Sequence, residues 1–175
     1  MTVTFVRHTS VDIAPGVCYG QSEVPLTPFF PQEAARVCEQ LKRVKYDGVF
    51  TSPLQRCTQL AQFCGYENAV KDNRLMEMNF GEWEMRRYDE ITDPRLQLWY
   101  DDYLHVRATG GESFEDQHQR LQAFIAEKKQ QGYRHLLAFT HGGILVHALL
   151  LAGCYSVDEV FAHQPGYGAS IQLEF

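Results

Sequence analysis

Hydrophobic positions along the chain fall into two kinds of pattern. Val3 to Val6, Gly48 to Thr51 and Leu136 to Thr140 are short runs, apolar at successive positions, each ending where a turn or helix begins. Such runs predict central strands covered on both faces, because a strand with one wet face shows polar residues at every second position. Ser170 to Phe175 does alternate, through Ile171, Leu173 and Phe175, and predicts an edge strand with one exposed face.

Between these runs the apolar residues recur at helical spacing. Gln32 to Lys42 carries Ala34, Val37, Cys38 and Leu41 on one side, and Pro53 to Cys64 carries Cys57, Leu60, Ala61 and Cys64, with Gly65 as a stop. Ser113 to Lys129 opens on Ser113 with Asp116 three residues later, a variant of the capping box, and its stripe reads Phe114, His118, Leu121, Ile125. Gly142 to Gly153 is apolar almost all round, as in a helix buried on most sides. Strands alternating with helices predict a three-layer α/β/α fold with a mainly parallel sheet and an antiparallel edge strand. No repeat, low-complexity tract or Gly/Ser linker divides residues 1–175, so one domain is expected. Residues 84–111 fit the alternation least and are expected to form a helical insertion.

Composition narrows the function classes. With 175 residues, 45% of them hydrophobic, the chain is long and apolar enough for a hydrophobic core. Sixteen Lys and Arg against 22 Asp and Glu give a net charge of -6, which argues against nucleic acid or an anionic membrane surface as partner. The longest apolar stretch, Ile144 to Tyr155, contains His147 and falls short of the roughly 18 residues of a membrane span. Met1 to Val6 already reads as a strand, so no signal peptide is expected. The five cysteines are odd in number and scattered without a C-x-x-C pair, and Cys57 and Cys64 share one predicted helix. Reduced, packed thiols in a cytoplasmic protein are therefore expected.

Candidate chemistry collects at one structural address, the carboxyl ends of the predicted central strands, where ligands bind in open α/β sheets. Arg7 and His8 follow the first strand, Ser52, Pro53 and Arg56 the second, and His141, Gly142 and Gly143 the strand ending at Thr140. Two guanidiniums, two imidazoles and two helix N-termini suit a phosphate dianion. Ser52 is placed to cap a helix that starts at Pro53, leaving Arg56 about a turn inside. Taken singly, each motif reads equally well as structure: a surface Arg beside a packed His, a solvated helix Arg, a tight Gly-Gly turn. Glu77, between Met76 and Met78, is a candidate proton donor, with Glu82 and Glu84 as local competitors. His118 and His147 read as packed or boundary histidines, and no histidines show the spacing of a metal motif such as H-E-x-x-H. Core packing is the expected role of Trp83, Tyr88, Trp99, Tyr100 and Tyr103, with stacking on an aromatic substrate as the alternative.

Together the motifs resemble the histidine phosphatase superfamily, which includes the cofactor-dependent phosphoglycerate mutases. The matching pieces run in the family's order from Arg7-His8-Thr9 through Tyr19-Gly20-Gln21-Ser22, Thr51-Ser52-Pro53-Leu54-Gln55-Arg56, Glu77 to Glu84 and Gly110-Gly111-Glu112-Ser113 to Thr140-His141-Gly142-Gly143. Within the superfamily, Tyr19 to Ser22 and Phe80 to Glu84 most resemble the alpha-ribazole phosphatases. The resemblance implies that His8 becomes phosphohistidine, that Arg7, Arg56 and His141 hold the phosphoryl oxygens, and that Glu77 protonates the leaving alcohol and then activates water. It implies a small phosphate ester as substrate, alpha-ribazole 5′-phosphate in cobalamin nucleotide-loop assembly, and no metal or cofactor. Gly142, Gln21 and Ser22 are the further substrate-contact candidates. Departures from the family pattern are Thr9-Ser10 in place of Gly-Glu, Ala14 where many members have Asn, and a missing glycine before Gln32. The rivals are a phosphoglycerate mutase, for which the chain is short, a broad sugar or nucleotide phosphatase, and a phospho-ligand binding protein without turnover.

Overall fold

The computed structural model describes all 175 residues. Five strands form one sheet in the order β3-β2-β4-β1-β5, where β1 is Thr2–Arg7, β2 Gly48–Thr51, β3 Val70–Lys71, β4 His135–Thr140 and β5 Ser170–Glu174. All neighbours are parallel except β5, which runs antiparallel to β1 at the edge, as its alternation predicts. The unalternating strands are explained by what covers them. Val3 and Phe5 of β1, with Leu136 and Ala138 of β4, face helices α4 (Phe114–Gln130) and α5 (Gly142–Leu151). Val6, Leu137 and Phe139 face α1 (Phe30–Leu41) and α2 (Gln55–Phe63) on the other side. Both faces are dry, so both sets of side chains must be apolar.

Three expectations need correction. β3 was not predicted: two exposed residues, Val70 and Lys71, are too short to carry a periodic signal. Helix α2 begins at Gln55 with Leu54 as its N-cap, not at Pro53 with Ser52 as cap, and Arg56 therefore sits in its first turn. The cysteines are not all reduced. Cys38 on α1 and Cys64 just past α2 form a disulfide, their Cα atoms 5.1 Å apart, because the two helices lie side by side on one face of the sheet. Cys18 and Cys57 are free and buried and Cys154 is free and exposed, so the cysteines no longer argue for a reducing compartment.

The capping box on α4 forms as predicted, with Ser113 accepting from the Asp116 amide and Asp116 accepting from the Ser113 amide. Phe114, Leu121 and Ile125 of the expected stripe are buried, but the buried face also takes in Gln117, Phe124 and Lys128, and His118 at its edge is half-buried. Residues 84–111 contain a single-turn helix at Tyr88–Glu90 and α3 (Arg95–Asp101). Trp83, Ile91, Leu96 and Ala108 pack there with Cys18 in a small cluster separate from the sheet core. No helix is long and apolar enough to cross a membrane.

Candidate active site

The carboxyl ends of β1, β2 and β4 bring Arg7, His8, Arg56 and His141 together. His8 leaves β1 with its amide bonded to the Thr140 carbonyl at 3.0 Å, which ties the end of β1 to the end of β4. Its Nδ1 donates to the Thr9 carbonyl at 2.7 Å, and a carbonyl only accepts. The neutral ring therefore carries its proton on Nδ1 and leaves an unprotonated Nε2. Burial, together with the Arg56 and Arg7 charges, pushes the His8 pKa down to about 3 against the opposing Thr9 bond. The ring is thus neutral at physiological pH.

Arg56 is fully buried, because α2 delivers it inward from its first turn. Its guanidinium donates to His141 Nδ1 at 3.3 Å, to the Ser22 carbonyl at 2.9 Å and to the Gly20 carbonyl at 2.6 Å. Accepting at Nδ1 leaves His141 with its proton on Nε2, which donates to Ser52 Oγ at 2.8 Å. Burial and the neighbouring His8 and Arg56 hold the His141 pKa well below its ordinary value. Ser52 thus orients an imidazole instead of capping a helix. The N-terminus of α2 is occupied by the Glu23 carboxylate, which accepts from the Gln55 amide at 3.0 and 3.1 Å. That correction removes one of the two predicted anion-binding helix ends.

Arg7 donates to the Pro165 carbonyl at 2.6 Å and stacks on Tyr167, its Cζ 4.2 Å from the ring centroid. Its Nε is buried without a partner, and a buried unpaired donor of this kind costs about 1–3 kcal/mol. Gly142 allows this packing: a Cβ there would lie 3.0 Å from Arg7 Cζ and 2.5 Å from Gln164 Nε2. Tyr167 in turn shares a 2.7 Å phenol–phenol bond with Tyr19. Neither tyrosine, nor Pro165, carries a sequence signal for this role.

Glu77 reaches the same pocket. Its Oε1 accepts from the Met78 amide and from Gln117 Nε2, both at 3.0 Å, and its Oε2 accepts from the Gly143 amide at 3.1 Å. The N-terminus of α5 is therefore engaged by a carboxylate, and Gly143 must be glycine, since a Cβ would stand 2.2 Å from Glu77 Oε1. Polar donors surround this carboxyl, where the sequence suggested apolar neighbours. Arg120 Nη2 and Gln21 Nε2 both donate to the Glu77 carbonyl at 3.0 Å. Glu112 braces the same strut, accepting from Arg120 Nε and the Asn79 amide, both at 2.9 Å. Of the two competitors, Glu82 is exposed and Glu84 is a structural tie. Glu84 accepts from the Gln21, Ser22 and Phe80 amides and from Ser22 Oγ. Burial pushes the Glu84 carboxyl up, but these donors outweigh it and hold it below the usual range.

A pocket of ≈ 370 Å³ opens over these groups. Arg7, His8, Glu77, Gln117 and Gly143 line one end, and Tyr19, Phe80, Trp99, Tyr103, Phe114 and Phe161 form an aromatic wall. Arg56 and His141 are fully buried beside His8 and do not line the pocket. Gln21 and Ser22, expected to contact substrate, do not line it either: the Gln21 side-chain amide donates to the Glu77 carbonyl, the Ser22 hydroxyl donates to Glu84, and the Ser22 carbonyl accepts from Arg56. Trp83 and Tyr88 pack in the small cluster away from the pocket, whereas Trp99 and Tyr103 face it. No group of three or more His, Cys, Asp or Glu side chains converges on a metal-sized site.

Comparison with known proteins places this arrangement. The sequence profile of the histidine phosphatase superfamily, branch 1, matches residues 3–175. The adenosylcobalamin/alpha-ribazole phosphatase of Escherichia coli K12 is 30% identical over 161 residues, covering 87% of this chain and 78% of that one. A probable phosphoglycerate mutase, GpmB, from Enterobacter sp. strain 638 is 32% identical over 150 residues, covering 78% and 68%. The crystal structure of the alpha-ribazole phosphatase from Shigella flexneri superposes with a TM-score of 0.85 at 26% identity, covering 99% of this chain and 90% of that one.

Proposed function

This chain belongs to the histidine phosphatase superfamily and is a phosphatase, and we propose that it hydrolyses alpha-ribazole 5′-phosphate through a phosphohistidine at His8. In this reading the Nε2 lone pair of His8 attacks phosphorus and the bond to the ester oxygen breaks. That oxygen takes a proton from Glu77 and leaves as the alcohol. A water then gives a proton to Glu77 and attacks the phosphohistidine, the N–P bond breaks, and inorganic phosphate departs with Glu77 protonated again. Arg7 brings its unpartnered Nε to a phosphoryl oxygen, and Arg56, buried beside His8 and held by His141, Gly20 and Ser22, adds its positive charge from behind the pocket lining. Both guanidiniums are already held by carbonyls, so little reorganisation is needed as charge develops on the transferring group.

The aromatic wall carries the choice of substrate. It starts beside Glu77, where the leaving alcohol must sit, and offers Phe80, Trp99, Tyr103, Phe114 and Phe161 to a planar aromatic base such as that of alpha-ribazole. The mutase reading has its 32% identical relative in favour but lacks a receptor for the second anionic group. Arg7 is the one Lys or Arg lining the pocket, and it is committed to the phosphoryl end.

A hydrolysis panel tests the proposal. The expected result is that kcat/KM for alpha-ribazole 5′-phosphate exceeds that for sugar phosphates and nucleotides, and that an acid-labile phosphoenzyme is trapped in the wild type but not in His8→Ala. Conversion of 3-phosphoglycerate to its isomer, or a phosphoenzyme that survives His8→Ala, overturns it. Phosphate binding without turnover of any ester would make the protein a binder.

A further inference from the structure

A chain of polar groups, fully buried at Gln117 and His147, runs from the carboxylate of Glu77 to the half-buried His118 of α4. Gln117 Nε2 donates to Glu77 Oε1 at 3.0 Å, Gln117 Oε1 meets His147 Nε2 at 3.2 Å, and His147 Nδ1 meets His118 Nδ1 at 3.3 Å. Gln117 is 2% exposed and His147 0%, on helices whose other inward residues are almost all apolar. Polar groups buried to that degree are expensive unless each has its partner, so the network is a built feature.

The roles along the chain follow from hydrogen-bond chemistry. Gln117 presents its NH₂ to Glu77 Oε1, which leaves the amide oxygen, an acceptor only, to face His147. His147 must then carry its proton on Nε2, which leaves a lone pair on Nδ1 for the Nδ1–H of His118. Each ring fixes the tautomer of the next. At the far end the consequence is an asymmetry between the two oxygens of Glu77. Oε1 already accepts two donors, from Met78 and Gln117, whereas Oε2 accepts one, from Gly143.

We propose that Gln117 is a positioning residue that keeps the transferable proton of Glu77 on Oε2, and that His147 and His118 act by preventing the Gln117 amide from turning over. A flipped amide would present its oxygen to Oε1, where it would accept the carboxyl proton and hold it away from the leaving group. The inference rests on the reading of Glu77 as the proton donor. It also explains why α4 buries a glutamine and α5 a histidine in largely apolar faces.

Esters that differ in their need for a proton separate this role from a structural one. p-Nitrophenyl phosphate releases a phenolate that leaves unprotonated, whereas benzyl phosphate releases an alkoxide that needs the acid. Gln117→Met, close in volume, is expected to lower kcat for benzyl phosphate about 10-fold or more beyond whatever loss it causes with p-nitrophenyl phosphate. His147→Leu gives a smaller loss of the same selectivity, and the double variant is no worse than Gln117→Met alone, because His147 acts through Gln117. Should Gln117→Met fail to fold, the His147→Leu selectivity decides. Equal losses on both esters, or additive losses in the double variant, overturn the proposal. Glu77→Gln run alongside distinguishes the two readings. If it too loses both esters equally, the assignment of Glu77 as acid falls and this inference with it; if Glu77→Gln is selective and Gln117→Met is not, only this inference falls.

Discussion

The two ends of the pocket are built in opposite ways. The phosphate end is assembled from strand termini: Arg7 and His8 end β1, Ser52 and Arg56 follow β2, and His141 ends β4. The sheet fixes the spacing of these groups through its own hydrogen bonds, and each guanidinium is pinned by backbone carbonyls. The aromatic end has no common scaffold. Phe80 and Trp99 come from around the 84–111 segment, Phe114 from the start of α4, and Phe161 from the segment before β5, where it is 48% exposed. The difference teaches a division of labour. A rigid end that sees only a phosphoryl group suits any ester, while an end made of loops and short helices selects among them.

Substitutions at the two ends should therefore fail differently. Arg56→Ala at the phosphate end is expected to lower kcat/KM by about 10²–10³ on every ester tested, whatever its alcohol. It also frees the buried Gly20 and Ser22 carbonyls, so a lowered Tm accompanies the loss. A loss confined to aromatic esters would break the comparison. Trp99→Ala at the aromatic end is expected to raise KM about 10-fold for alpha-ribazole 5′-phosphate and leave glycerol phosphate within about 2-fold. A parallel loss on both esters would show that Trp99 supports the site as a whole.

A further test lies in pH. Burial is the main cause that lowers the pKa of His8 and of His147 to about 3, and it takes that of His141 well below its ordinary value. In the unfolded chain these rings take up protons near pH 6.5, but in the folded protein His8 and His147 do not until pH approaches 3, and burial holds His141 well below its ordinary value. Unfolding therefore binds protons across that window, and stability falls as pH drops below 6.5, by roughly 1 kcal/mol per pH unit for each ring. Thermal melts between pH 7.5 and 5 are expected to show this slope. His147→Gln should flatten it by one ring's share, whereas Trp99→Ala lowers Tm by the same amount at every pH.

The legible residues were those whose surroundings are local in sequence. His8 and His141 follow apolar runs directly, so their place at strand ends could be read from the chain alone. Arg56 was found for a partly mistaken reason, because the helix beginning at Pro53 and capped by Ser52 does not form. Glu23 takes the helix N-terminus and His141 takes the Ser52 hydroxyl, and both come from distant segments. Gln117 was missed although it left a trace, a polar residue at helical spacing from Phe114, Leu121 and Phe124. The stripe through Phe114, Leu121 and Ile125 is buried as read, but the buried face extends to the side of Gln117, Phe124 and Lys128, which the stripe leaves out. Gln21 and Ser22 are substrate-contact candidates by sequence, but Glu84, from beyond Phe80, holds their loop through both amides.

What the sequence by itself determined is the layered sheet and the cationic group at its carboxyl edge. Unalternating apolar strands require cover on both faces, and residues just past such strands have one crevice to enter. Only the tertiary structure decided which atoms of those residues are free to react. The unprotonated Nε2 of His8, the unpartnered Nε of Arg7 and the less encumbered Oε2 of Glu77 each depend on a partner: the Thr9 carbonyl for the first, Pro165 beside the second, Gln117 for the third. Hydrogen bonds saturate specific atoms through geometry, and in the latter two cases the geometry comes from segments that the linear order of residues keeps far apart.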